Sequence, residues 1–183
     1  MESLLLAYSL SGAAGLRSAL SMLVVSIAVT VGFLHPNPSM MWLGSGWLIM
    51  LAFAATLVEF FGDKIPAVDH ALHTVHFLLT PIAGAIVAMS GYQGDPAVDV
   101  VLALVGGGNA LFVHSTRSAV RVVSSATTVG LANPLISLVE DCLAAVFILI
   151  ATFLPWLTAL VLVLLTVWLV KMIKRLRASR QTA

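Results

Sequence analysis

Eight of the twelve charges carried by the first 170 residues fall into a few short groups. Glu59 and Asp63 are spaced i, i+4, so on a helix they share one face, and Lys64 follows directly. Glu140 and Asp141 are adjacent, seven and eight residues after Asn133. The cations are Arg17, Arg117 and Arg121; His114, Arg117 and Arg121 fall at i, i+3, i+7 on one helical stripe. Guanidinium groups bind the oxygens of an anion, and carboxylates exchange a proton or hold a cation. Arg17, Glu59, Asp63, Lys64, Arg117, Arg121, Asn133, Glu140 and Asp141 are therefore the candidate substrate- or ion-binding set.

A second group is imidazole. His70, His73 and His76 follow Asp69 at i, i+3, i+6, a stripe suited to metal ligation or to a proton relay. The pattern lacks a second ligating segment and no HExxH occurs, so no metal and no cofactor is assigned. Gly106-Gly107-Gly108-Asn109 is no phosphate loop, since it opens neither GxxxxGK[ST] nor GxGxxG. It serves either close helix packing or a broken span, and Pro81 with Gly84 reads the same way. One cysteine, Cys142, gives no internal disulfide.

The elements that position these groups follow from composition. Of 183 residues, 60% are apolar and 9% charged, against roughly 45–50% and about 25% in soluble domains. Five of the seventeen charges (Lys171, Lys174, Arg175, Arg177, Arg180) crowd the last thirteen residues. Too few charges remain to cover a water-soluble globule, and disorder needs the opposite bias. The expected fold is all-α: a polytopic transmembrane helix bundle, 1–172, with a basic cytoplasmic tail, 173–183. Charge so distributed argues for a lipid bilayer as partner and against nucleic acid. Met1-Glu2 opens without a basic n-region, so the N-terminal segment is expected to be retained.

A helix crossing a ~30 Å hydrocarbon core needs about 20 apolar residues. That ruler gives six spans: 16–34, 44–62, 71–90, 96–114, 134–153 and 155–171. His35-Pro36-Asn37-Pro38-Ser39 and Gly91-Tyr92-Gln93-Gly94-Asp95-Pro96 are turn clusters, and Asp95-Pro96 and Asn133-Pro134 each place a capping side chain before a proline. The uncharged run 142–170 is either a single kinked helix or two spans joined at Pro155-Trp156, and the interfacial tryptophan with the total length favours two. Residues 3–11 are apolar but too short to cross, and Gly12 and Gly15 interrupt the stretch beyond them. They read as a bent extension of the first span or an interfacial segment, within a broken or re-entrant region near 3–15. The stretch 115–132 reads as a second such region, amphipathic or re-entrant on the inner side.

Six spans with both termini inside place all nine basic residues on the cytoplasmic side of a bacterial inner membrane, as the positive-inside rule requires. The same topology gathers four acids and four bases into one inner-leaflet layer. A lone charge at mid-bilayer costs roughly 2.5–3.5 kcal/mol, so such groups find partners or water. Three readings stand: ion pairs that fix helix packing, an inward-facing polar cavity, or groups at headgroup level. A weak repeat runs through the same residues. Arg17-Ser18-Ala19 precedes Leu57-Val58-Glu59 by 42 residues from Arg to Glu, and Arg117-Ser118-Ala119 precedes Leu138-Val139-Glu140 by 23.

Several blocks together resemble a bacterial membrane family, the domain of unknown function 4126. They are Ser11 to Ala19, Glu59 through Gly62-Asp63-Lys64-Ile65-Pro66-Ala67-Val68-Asp69, Pro81-Ile82-Ala83-Gly84, His114-Ser115-Thr116-Arg117, and Asn133-Pro134 to Glu140-Asp141. The similarity spans about residues 8–170, with Asp-Lys-Ile-Pro and the Asn-Pro to Glu-Asp block its more specific parts. It implies a small integral membrane protein and no particular activity. Residue chemistry then orders the functions: permeation or transport of a small solute or ion; a structural or assembly module whose ion pairs lock helices; and an intramembrane enzyme on lipid-borne substrates using Asp63, Asp69 and the histidines. The last lacks any recognisable catalytic motif. A homo-oligomer is compatible with all three.

Overall fold

The computed structural model describes residues 2–128, 132–154, 156–164, 167–168 and 171. Among them the chain is entirely helical: α1 (Glu2–Leu16), α2 (Ser18–Thr30), a 3₁₀ helix (Pro38–Gly44), α3 (Gly46–Gly62), α4 (Pro66–Met89), α5 (Pro96–Thr128) and α6 (Asn133–Phe153). Helix resumes at 156–164. The first five expected spans fall on α2 to α6, and the sixth lies partly outside the described residues. The basic tail lies wholly outside them.

Side-chain contacts fix the helix directions. Glu59 reaches Ser18 and Thr30 reaches Gly44, so α3 runs against α2. His76 meets Glu59, so α4 turns back along α3. Gly84 and Gly106 face each other, and α5 descends against α4. Asn133 meets Ser124, and α6 climbs along α5. Ser11 meets Asn109 and the Leu16 carbonyl meets Arg117, so α1 runs parallel to α5. α1 and α2 therefore both rise from Arg17, whose extended backbone (φ −141°, ψ 94°) turns the chain between them.

This corrects the reading of the front of the chain. Residues 3–11 are neither an interfacial segment nor an extension of α2, because they belong to α1, the central helix of the bundle. Leu6, Ala7, Leu10, Ala13 and Ala14 are buried. The break falls at Arg17, not within 3–15. Gly12 and Gly15 do not interrupt the helix; they let it approach its neighbours, since a methyl group on Gly15 would lie 2.5 Å from the Ala110 carbonyl oxygen.

Residues 115–128 are not re-entrant, since they continue α5 without a break. The amphipathic alternative fits a helix that buries Arg121 and Ser124 and exposes Val122 and Val123; 129–131 lie outside the described residues. Ser115, Thr116 and Ser118 return their hydroxyls to carbonyls four residues earlier, so polar side chains are satisfied within the helix. The glycines and Pro81 likewise leave α5 and α4 continuous and serve packing. A methyl group on Gly84 would sit 2.6 Å from the Gly106 carbonyl oxygen, and one on Gly106 2.5 Å from that of Gly84. With Ala88 and Ala110 they form facing small-xxx-small pairs that bring the two backbones together.

By length and composition α5 alone is able to cross a membrane as a single helix among the described residues, with only 17% of its apolar window buried. The 3₁₀ helix and α3, bent by 56°, reach the same measure as a pair. α4 and α6 reach the length of the sequence ruler with 24 and 21 residues, whereas α1 and α2 fall short of it. α2 has 13 residues, about 20 Å, because the turn at Arg17 ends it early.

Burial runs opposite to that of a water-soluble domain. Arg17, Glu59 and Asp63 are each 4% exposed, while Phe153 is 77%, Met50 75% and Leu104 73% exposed. Large apolar side chains are exposed along α3, α4, α5 and α6.

Candidate functional site

The helix directions bring Arg17 at the start of α2, Asp63 at the end of α3, the lower part of α5 and the first two turns of α6 to one level. Asp63 is the centre. Its Oδ2 accepts from Arg17 Nη1 at 2.6 Å and Arg117 Nη2 at 2.7 Å, with Arg121 Nη2 at 3.4 Å. Three guanidiniums thus share one carboxylate oxygen.

Each guanidinium is engaged a second time. Arg117 Nε donates to Glu140 Oε2 at 2.8 Å, and its Nη1 to the Leu16 carbonyl at 2.9 Å, an orphan acceptor at the end of α1. Arg121 Nη2 donates to Glu140 Oε2 at 2.6 Å, with Nε at 3.1 Å. Arg17 Nη2 pairs with Asp141, and Nη1 also reaches the Glu59 carbonyl at 3.2 Å. Lys64 completes the group from the rim. Its ammonium lies 3.0 Å from Asp141 Oδ2, 2.6 Å from the Phe60 carbonyl and 3.6 Å from the centre of the Phe60 ring.

Seven of the nine candidates (Arg17, Asp63, Lys64, Arg117, Arg121, Glu140 and Asp141) therefore form one ion-pair network. Glu59 adjoins it but is held separately. Its Oε1 accepts from Ser18 Oγ at 2.6 Å and the Ala19 amide at 3.1 Å, and lies 3.0 Å from His76 Nε2. Asn133 is elsewhere. Instead of capping α6 it links α6 to α5, accepting from Ser124 and donating to Ser125, each at 3.0 Å. Asp95 does cap α5 as expected, receiving the Ala97 amide at 2.9 Å.

The two Arg-Ser-Ala segments meet at this level, and the pairing crosses between them. Arg17 takes Asp141 as well as Asp63, and Arg117 takes Asp63 as well as Glu140, so each arginine pairs both within its own half and across. Sequence reading missed two members, His76 and Ser18, as partners of Glu59. His76 is engaged by the Glu59 carboxylate; the side chains of Asp69, His70 and His73 lie outside the described residues.

Two cavities touch these groups. One of about 520 Å³ between α5 and α6 is walled by Phe112, Val113, Leu135 and Val139, with Arg117 and Glu140 on its lining. Another of about 320 Å³ lies among α2, α3 and α4.

A family model described as Domain of unknown function (DUF4126) matches residues 4–175, nearly the whole chain. No curated protein and no solved structure matches.

Proposed function

The chain belongs to the DUF4126 family, and from that premise we propose that it is a multi-pass protein of the bacterial cytoplasmic membrane that passes a small solute or ion, with the buried charge network as its inner gate. The carrying observation is the shared carboxylate of Asp63, which faces Arg17, Arg117 and Arg121 together. Where several cations compete for one oxygen, partners can be exchanged without exposing a charge to lipid. Four cations and four carboxylates keep the region neutral meanwhile, which offsets the cost of holding ionised groups at membrane depth.

The apolar outer surface supports the membrane setting, and we take the end that carries Lys64, Arg117 and Arg121 as cytoplasmic, following the positive-inside rule. α1 then starts from the outer side, a departure from two inner termini. The test is flux in liposomes across a panel of ions and small solutes. Transport requires a flux that Glu140→Gln changes, and no such flux in the panel overturns it.

A second reading is favoured by the ion pairs that each charged group of the network makes: the network locks α2, α3, α5 and α6 together and does nothing else. It predicts that Arg117→Glu lowers folded yield and that adding Glu140→Arg restores it, with no flux in either variant.

A further inference from the structure

Glu59 is 4% exposed, and its two oxygens are treated unequally. Oε1 takes Ser18, Ala19 and His76, whereas Oε2 is buried without a hydrogen-bond partner. A buried ionised oxygen left unpaired is costly. Glu59 lines the cavity of about 320 Å³ whose walls include Met22, Leu48, Ala55, Leu72 and Leu79, and whose polar lining is Ser18, Glu59 and His76. Arg17 does not neutralise the carboxylate directly, for it meets the Glu59 backbone and spends its charge on Asp63 and Asp141.

We infer that this cavity binds an amphiphile with a protonated amine head, the ammonium donating to Glu59 Oε2 and the alkyl chain lying against the apolar walls of α2, α3 and α4. A carboxylate oxygen only accepts, so the head must donate. Charge-assisted N–H donation to a carboxylate is about twice as strong as a neutral hydrogen bond, which selects an amine over an alcohol. Apolar walls with one placed polar group are the usual make-up of a small-molecule pocket, and the volume is at the lower end of that range. The inference rests on the membrane reading but needs no transport.

The test uses the purified full chain in detergent micelles with radiolabelled dodecylamine as the probe. Saturable binding is expected, displaced weakly by dodecanol and reduced about tenfold or more in Glu59→Gln and in Ala55→Leu, which fills the cavity one helical turn from Glu59. Displacement by phosphatidylethanolamine identifies the natural head as that of a lipid, and its failure to displace identifies a free amine. Absence of saturable binding, or dodecanol binding as tightly as dodecylamine, overturns the inference. Should Glu59→Gln not fold, undiminished binding in Ala55→Leu overturns it equally. A protein without flux that still binds dodecylamine in this way separates the inference from the proposed transport.

Discussion

Asp63 shows how much one oxygen can hold together. Removing its charge by Asp63→Asn leaves three guanidiniums competing for Glu140 and Asp141 in a buried setting, and breaking such a pair costs about 3–5 kcal/mol. Lys64 is a contrast, with a side chain 26% exposed and one carboxylate partner. Lys64→Gln is expected to cost less than about 1 kcal/mol. Thermal unfolding of the detergent-solubilised variants, followed by tryptophan fluorescence, checks both. The residues of the network were legible because ionised groups are scarce in an apolar chain and have few places to go. Which acid meets which base was not, since three arginines of equal reach are distinguished only by helix rotation. Glu59 illustrates the limit: spacing tied it to Asp63, yet its Oε1 faces Ser18 and His76.

At the scale of elements, the contact between α4 and α5 is the tightest test. Gly106→Ala places a methyl group 2.5 Å from the Gly84 carbonyl oxygen, and such overpacking costs about 1–3 kcal/mol. A methyl group on Gly108, two residues on, would meet nothing within 4 Å. Gly108→Ala should stabilise by up to about 1 kcal/mol through helix propensity alone. The pair, compared by the same unfolding assay, separates packing from propensity. Helix positions for 44–62, 71–90, 96–114 and 134–153 were readable from apolar length and from proline at helix starts. α1 was not, because a span-length ruler discards a helix of 15 residues that is buried by protein on several sides. The turn at Arg17 was equally silent, as neither proline nor an adjacent glycine marks it.

For the whole molecule, the inverted distribution of polarity sets the expected behaviour. With apolar side chains outward and charges enclosed, the chain should stay with membranes through an alkaline carbonate wash; release into the supernatant would contradict the membrane reading. Orientation has its own measurement. In a Cys142→Ser background, Gln93→Cys should react with an impermeant maleimide from outside intact cells, and Ala126→Cys only after permeabilisation. Reaction of Ala126→Cys from outside would reverse the orientation.

The central place of α1 also governs how the protein is made. Its neighbours include α4, α5 and α6, all synthesised after it, and Arg17 at its end meets Asp141 only when most of the chain has been made. α1 therefore gains its full set of neighbours, and Arg17 its second acid, only from helices that come later in the chain.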